Sequence, residues 1–224
     1  MKRSKKIRPY LLIISFMLLS SSLMFSGCLD EPIEIDGVEI REYQGEQLSS
    51  VNDFRENSIK GPQEIENSDY QLKISGLVEN PDSLSYDQVL NQYQSYKKVV
   101  RLDCVEGWSV TILWEGVLVK DILADASPTD KAKIVIFHAE DGYTTSLPIE
   151  YIIENDILMA YNMNNVTLPV ERGFPFQLVA ESKWGYKWIK WITEIEISDD
   201  IDYEGYWEER GYSNSADTNE SFFD

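Results

Sequence analysis

The chain contains two cysteines among its 224 residues, and a thiol is the side chain best suited to nucleophilic or metal chemistry. Cys28 follows an apolar run and is predicted to carry a lipid. Cys104 is then left without an intrachain partner, and an unpaired thiol outside the cytosol is either a buried apolar residue or a ligand. A disulfide between Cys28 and Cys104 is a third possibility. The surroundings of Cys104 therefore decide which chemistry this residue serves.

The N-terminal residues predict export to the outer face of a membrane. Five basic residues precede residue 9, and residues 10–25 form an apolar run without a charge, which is the pattern of a signal peptide. We expect residues 1–27 to be a signal peptide with a lipobox, Cys28 to be lipidated, and the protein to be anchored to the extracytoplasmic side of the cell membrane. An uncleaved signal anchor is the alternative, although the run is shorter than the roughly 20 residues that span a bilayer.

The charge of the mature chain excludes one class of partner. Removal of residues 1–27 leaves 15 basic residues against 39 acidic ones, a net charge of −24. Such a surface repels the phosphate backbone of nucleic acids. With one histidine and no Cys-x-x-Cys-His motif, the chain cannot ligate a haem of its own in the usual ways.

Hydrophobic periodicity predicts a single α+β domain of short strands and short helices. We expect an acidic spacer at 28–50, the domain at 51–200, and at 201–224 an acidic aromatic tail whose first part packs on the domain while its last ten or so residues are loose. A capping box formed by Ser85 and Gln88 predicts a helix through residue 91. Further helices are predicted at 119–124 and 148–154. Strands are predicted at 70–78, 99–104, 109–114, 133–137, 157–163, 176–179 and 188–197.

A series of short motifs carries a resemblance to a known family. The motifs are Cys104-Val-Glu-Gly-Trp-Ser109, Trp114-Glu-Gly-Val117, Asp141-Gly-Tyr143, Leu147-Pro148 and Gly173-Phe-Pro175. Each alone is weak, but in this order and spacing they resemble the molybdopterin-binding oxidoreductase family of sulfite oxidase and the catalytic subunit of the periplasmic methionine sulfoxide reductase. The resemblance implies a sulfite-oxidase-type fold of mixed sheets. It also implies a molybdenum ion held by the two sulfurs of a pterin dithiolene and by Cys104, which suits a soft metal.

The resemblance further implies a set of cofactor-binding positions. They are Asn52, Arg55, Glu56, Cys104, Ala139, Arg172, Gln177, Trp188, Ile189 and Lys190. Lys190 would meet the pterin phosphate, and its clustering with Lys183 and Lys187 in an acidic chain favours this role over that of a solvated lysine. Ala139 replaces a threonine, which leaves only backbone contacts.

Two positions depart from the family pattern in a related way. Relatives usually carry His or Asn where this chain has Arg172, and Arg where it has Gln177, so the guanidinium has exchanged places. Cys104, Tyr143 and Arg172 are the predicted catalytic residues, with Tyr143 as a hydrogen-bond donor. His138 either faces the site or is a structural histidine at a strand end.

The implied reaction is oxygen-atom transfer at molybdenum. Sulfite oxidation needs a strongly cationic pocket, and only Arg101 and Arg172 lie near the motifs. We therefore predict reduction of sulfoxide-type or N-oxide-type substrates, with electrons from a haem-linked or quinone-linked membrane partner. The alternative is a lipid-anchored binding module that keeps the fold without molybdenum.

Overall fold

The computed structural model describes residues 37–223. They form twelve strands and three α-helices, an α+β fold as predicted. The strands are β1 (Glu42–Tyr43), β2 (Glu46–Gln47), β3 (Leu72–Gly76), β4 (Asp82–Leu84), β5 (Ser95–Asp103), β6 (Ser109–Leu118), β7 (Ile134–Ala139), β8 (Thr144–Pro148), β9 (Leu158–Met163), β10 (Val166–Thr167), β11 (Gln177–Val179) and β12 (Ile192–Ser198); the helices are α1 (Tyr86–Gln92), α2 (Val119–Ala126) and α3 (Ile149–Glu154).

Two five-stranded sheets carry the domain, and β1 and β2 form a separate small hairpin. The first sheet has the order β10-β9-β6-β5, with β11 also paired to β9, and is antiparallel throughout. The second has the order β4-β3-β12-β7-β8, in which only β3 and β12 run parallel. Both sheets contribute side chains to one apolar core, with Trp114 and Phe137 among its fully buried members.

The helices begin within one residue of where the sequence predicts. Ser85 accepts from the Gln88 N–H and the Gln88 side chain accepts from the Ser85 N–H, so the predicted capping box is present. Pro148 occupies the N-cap of α3, where its missing N–H costs nothing.

The predicted strand at 188–197 is too long at its start. The chain makes a 3₁₀ turn at Gly185–Lys187, and β12 begins only at Ile192. Trp191 has a φ of +53°, which no strand residue adopts. Residues 188–191 are therefore an irregular segment whose apolar side chains are buried.

The packed domain also extends beyond the predicted limits at both ends. Within the predicted spacer, the Ile40 N–H donates to the Asn164 carbonyl, and Leu48 is buried. Near the other end Ala216 is fully buried and its carbonyl accepts from the Trp184 N–H, while the Thr218 N–H donates to the Ser182 carbonyl. The prediction of a loose tail end is wrong, because these residues find backbone and apolar partners on the domain.

The predicted signal peptide and Cys28 lie outside the described residues. No helix within residues 37–223 is both long and apolar enough to cross a bilayer.

Candidate active site

A cavity of about 200 Å³ opens where loops from both sheets meet. Its wall includes Cys104 and eight aromatic residues. The lining residues are Phe54, Arg55, Asn57, Ser58, Ile59, Leu102, Cys104, Val105, Glu106, Trp108, Asp141, Tyr143, Glu171, Arg172, Gln177, Gly185, Tyr186, Trp188, Ile189, Lys190, Trp191, Trp207 and Tyr212.

Cys104 lies in the turn that joins β5 to β6. Its N–H donates to the Trp108 carbonyl and its carbonyl accepts from the Gly107 N–H, both at 2.9 Å. Gly107 has a φ of +84°, so the loop is a three-residue hairpin closed by a left-handed glycine. The turn between β7 and β8 repeats this pattern: Gly142 (φ +89°) donates to the Ala139 carbonyl. Two hairpins of the same type thus hold the two sides of the cavity, one from each sheet.

The thiol of Cys104 is free and only 9 % exposed. Burial raises its pKa, and the carboxylate of Glu106 adds to this. The Glu106 backbone N–H and the charge of Arg55 lower the pKa in part. A bound metal ion would remove the proton altogether, since a coordinating thiol is deprotonated.

Lys190 stands in the wall with a carboxylate partner. Its Nζ donates to Glu56 Oε1 at 3.0 Å and lies 4.2 Å from the centre of the Trp191 ring. Burial lowers the pKa of Lys190, and Glu56 opposes this. Lys190 therefore offers one positive charge to an anionic ligand, in competition with Glu56.

The other two lysines of the predicted cluster form ion pairs with residues near the C-terminus instead. Lys183 donates to Asp217 at 2.6 Å, and the fully buried Lys187 donates to Glu208 at 2.5 Å. The prediction that they strengthen a phosphate site is wrong, because both charges are already neutralised within the protein.

Arg172 and Tyr143 line the cavity, but each is engaged. The Arg172 guanidinium donates to the carbonyls of Val51 and Phe54 and lies 4.7 Å from the centre of the Phe54 ring. It thereby fixes the segment that leads into the cavity wall. The Tyr143 hydroxyl donates to the Tyr186 carbonyl, so its proton is not available to a substrate in this arrangement.

The remaining predicted positions divide into two groups. Besides Cys104, Arg172, Tyr143 and Lys190, the cavity wall contains the predicted residues Arg55, Gln177, Trp188 and Ile189. Asn52, Glu56 and Ala139 do not line it; Asn52 is exposed, and Ala139 closes the β7 turn through its backbone. The open question about His138 is answered by its contact with Glu196, 2.8 Å away across β7 and β12, which makes it a structural residue.

Sequence reasoning missed several residues of the wall. Asp141 is buried and accepts from the Tyr143 N–H. Its Asp-Gly turn resembles the Glu-Gly turn after Cys104, and this similarity is the sequence signal that points to Asp141 as a wall residue. Trp207 and Tyr212 belong to the tail at 201–224, whose first part the sequence predicts only to pack on the domain. The unusual aromatic content of that segment is a signal that could have pointed to them.

Comparison with known proteins identifies the family. The family model "Oxidoreductase molybdopterin binding domain" matches residues 59–207, about two thirds of the chain. The chain is a member of this molybdopterin-binding oxidoreductase family. That result confirms the predicted enzyme class and the predicted molybdenum–molybdopterin cofactor.

Two proteins that are similar to this chain agree with the family assignment. The uncharacterized oxidoreductase YuiH of Bacillus subtilis is 34 % identical over 149 residues, which cover 66 % of this chain and 74 % of YuiH. The protein-methionine-sulfoxide reductase catalytic subunit MsrP of Xanthomonas campestris is 32 % identical over 173 residues, or 68 % of this chain. The chain spans only 54 % of the length of that subunit.

A solved structure confirms the sulfite-oxidase-type fold of this chain. The sulfane dehydrogenase SoxCD of Paracoccus pantotrophus superposes with a TM-score of 0.61 at 24 % identity. The match covers 64 % of this chain and 42 % of that one.

The cavity of this family member fits the molybdopterin cofactor. Cys104 supplies the free thiol that a soft metal prefers. The Oε1 atom of Gln177 is buried in the wall without a hydrogen-bond partner among residues 37–223, and a pterin carries N–H groups that would satisfy it. Lys190 would face the phosphate. The role of each of these residues remains a prediction.

Proposed function

We propose that the protein reduces neutral sulfoxides and related N-oxides by oxygen-atom transfer. The observation that carries the proposal is the charge balance of the cavity. Three cationic and three anionic side chains line it, namely Arg55, Arg172, Lys190, Glu106, Asp141 and Glu171. A wall without excess positive charge does not favour a dianion such as sulfite. If Lys190 holds the cofactor phosphate, still less positive charge remains for the substrate.

The rings of the wall suit the same substrate class. The thioether sulfur of the reduced product packs favourably against aromatic rings, and rings such as Trp108 and Trp188 line the same cavity as Cys104. The name of the Xanthomonas relative, a protein-methionine-sulfoxide reductase catalytic subunit, supports the proposal.

The reaction requires electrons that the chain does not hold. Each sulfoxide takes up two electrons and two protons and yields a sulfide and one water. When bound, the cofactor supplies the metal that accepts the oxygen atom and is then reduced again. The residues of this chain bind and orient the substrate, and Cys104 fixes the metal end of the cofactor. A membrane-bound haem-linked or quinone-linked partner would deliver the electrons to a protein anchored through Cys28 on the extracytoplasmic side.

The test uses the full chain purified from its own membranes. We expect molybdenum close to one per protein and, with reduced viologen as electron donor, turnover of methionine sulfoxide and dimethyl sulfoxide. Efficient sulfite oxidation without turnover of either sulfoxide would refute the proposal. Intact-mass measurement of the same material shows whether Cys28 carries a lipid.

A pair of variants tests the role of Cys104. We expect Cys104→Ser to lose molybdenum and activity while its urea unfolding midpoint stays near that of the wild type. His138→Gln, which changes a residue outside the cavity wall, is the matched control and should keep both. Full molybdenum content together with full activity in Cys104→Ser would show that the dithiolene holds the metal without Cys104.

A further inference from the structure

Residues 203–223, here called the C-terminal strap, contribute two rings to the cavity wall. Trp207 and Tyr212 both line the cavity, and their ring centres are 5.2 Å apart. They come from the end of the chain and from neither sheet. The positions of the two rings therefore depend on the contacts that fix the strap to the domain.

Two ion pairs fix the strap: one involves a residue between these two rings in the sequence, and the other a residue beyond them. Glu208, directly after Trp207, accepts from Lys187 and from Thr145 inside the protein. Further along, Asp217 accepts from Lys183. The Lys187 and Glu208 side chains are 0 % and 1 % exposed, so water does not screen this pair.

Other rings pack against these two wall residues. Tyr206 contacts Trp207 at 5.4 Å between ring centres. Tyr186 and Phe223 contact Tyr212 at 5.2 Å and 4.8 Å. Because the wall rings are packed on several sides, their positions are set before a substrate arrives, which reduces the entropy lost on binding.

We propose that Trp207 and Tyr212 are specificity-determining residues that select sulfoxides bearing an apolar, preferably aromatic, substituent. The inference rests on the proposed function. The two rings offer an apolar surface to the part of the substrate that does not react, and the buried Glu208 is the positioning residue that holds them. Binding energy from such a remote substituent raises kcat/KM for the substrates that carry it.

The test compares two neutral substrates that differ in one substituent. The ratio of kcat/KM for methyl phenyl sulfoxide to that for dimethyl sulfoxide is measured on the molybdenum-loaded full chain. We expect Trp207→Ala and Tyr212→Ala each to lower this ratio by about tenfold, the scale of a lost apolar pocket contact. Trp207→Phe and Tyr212→Phe, which keep a ring, should restore most of it. Tyr96→Ala is the control, because Tyr96 is an exposed ring of β5 that does not line the cavity.

A second readout separates this inference from the proposed function. Binding of methyl phenyl sulfone, measured by calorimetry, does not depend on turnover and should weaken by a similar factor in the two alanine variants. If the wild type reduces neither sulfoxide, the proposed function fails and the sulfone titration still decides the inference. Unchanged ratios and unchanged sulfone binding in both alanine variants, at equal molybdenum content, would overturn it.

Glu208→Gln tests the positioning role. We expect it to lower the same substrate ratio while molybdenum content stays constant. A ratio equal to that of the wild type would remove Glu208 from the inference.

Discussion

The buried ion pair between Lys187 and Glu208 gives the sharpest stability prediction. Their charged atoms are 2.5 Å apart, and the side chains are 0 % and 1 % exposed. Glu208→Gln keeps the shape of the side chain and removes its charge, so that the Lys187 ammonium is left buried without a counter-charge. Removing one partner of a buried pair costs about 3–5 kcal/mol. In a domain of this size that corresponds to a fall in melting temperature of roughly 6 to 20 °C.

Urea unfolding at pH 7 measures the effect, with Lys187→Met and the double variant completing a mutant cycle. The double variant contains no unpaired buried charge, so we expect it to recover at least half of the loss seen in Glu208→Gln. Glu209→Gln is the control: Glu209 is 64 % exposed and 3.8 Å from Arg210, and its loss should change the free energy of unfolding by less than about 0.5 kcal/mol. The reasoning is refuted if Glu208→Gln costs less than about 1 kcal/mol, or if the two single effects simply add in the double variant.

Two further predictions follow from other contacts. A Cβ on Gly116 would lie 2.2 Å from the Met159 carbonyl oxygen on the neighbouring strand. Gly116→Ala should therefore lower the free energy of unfolding, measured in urea, by about 3 kcal/mol or more. A loss below about 1 kcal/mol would contradict the close approach of the two strands. Burial raises the pKa of Glu194, but hydrogen bonds from Lys73 and Ser75 outweigh this and hold the pKa below its usual value of 4.5. Because the pKa of Glu194 is depressed in the folded state, its stabilising effect is present above pH 4.5 and is lost as the pH falls through the folded-state pKa. The difference in unfolding free energy between wild type and Glu194→Gln should therefore shrink as the pH falls below 4.5. A difference that stays constant with pH would disprove this prediction.

The glycine of the Trp114-Glu-Gly-Val117 motif shows what a family motif can record. The strands β6 and β9 approach so closely at Gly116 that no side chain fits. This motif therefore records packing of the first sheet, whereas the motif around Cys104 forms the cavity.

Local features were determined by the sequence alone because they depend on neighbours in the chain. The capping box of α1 and the position of Cys104 beside a Glu-Gly turn are set by residues within five positions of each other. The order and spacing of the motifs between Cys104 and Pro175 predicted the family through resemblance, and the family implied the cofactor.

Contacts between distant segments were decided only by the tertiary structure. The sequence predicts that Lys187 belongs to a phosphate-binding lysine cluster, yet it is buried against Glu208, 21 residues away. The sequence predicts that the first part of the tail packs on the domain, yet Trp207 and Tyr212 of that part line the same cavity as Cys104. An ion pair or a ring contact of this kind leaves no periodicity in the chain, because it depends on where the folded backbone places two segments and not on their spacing in sequence.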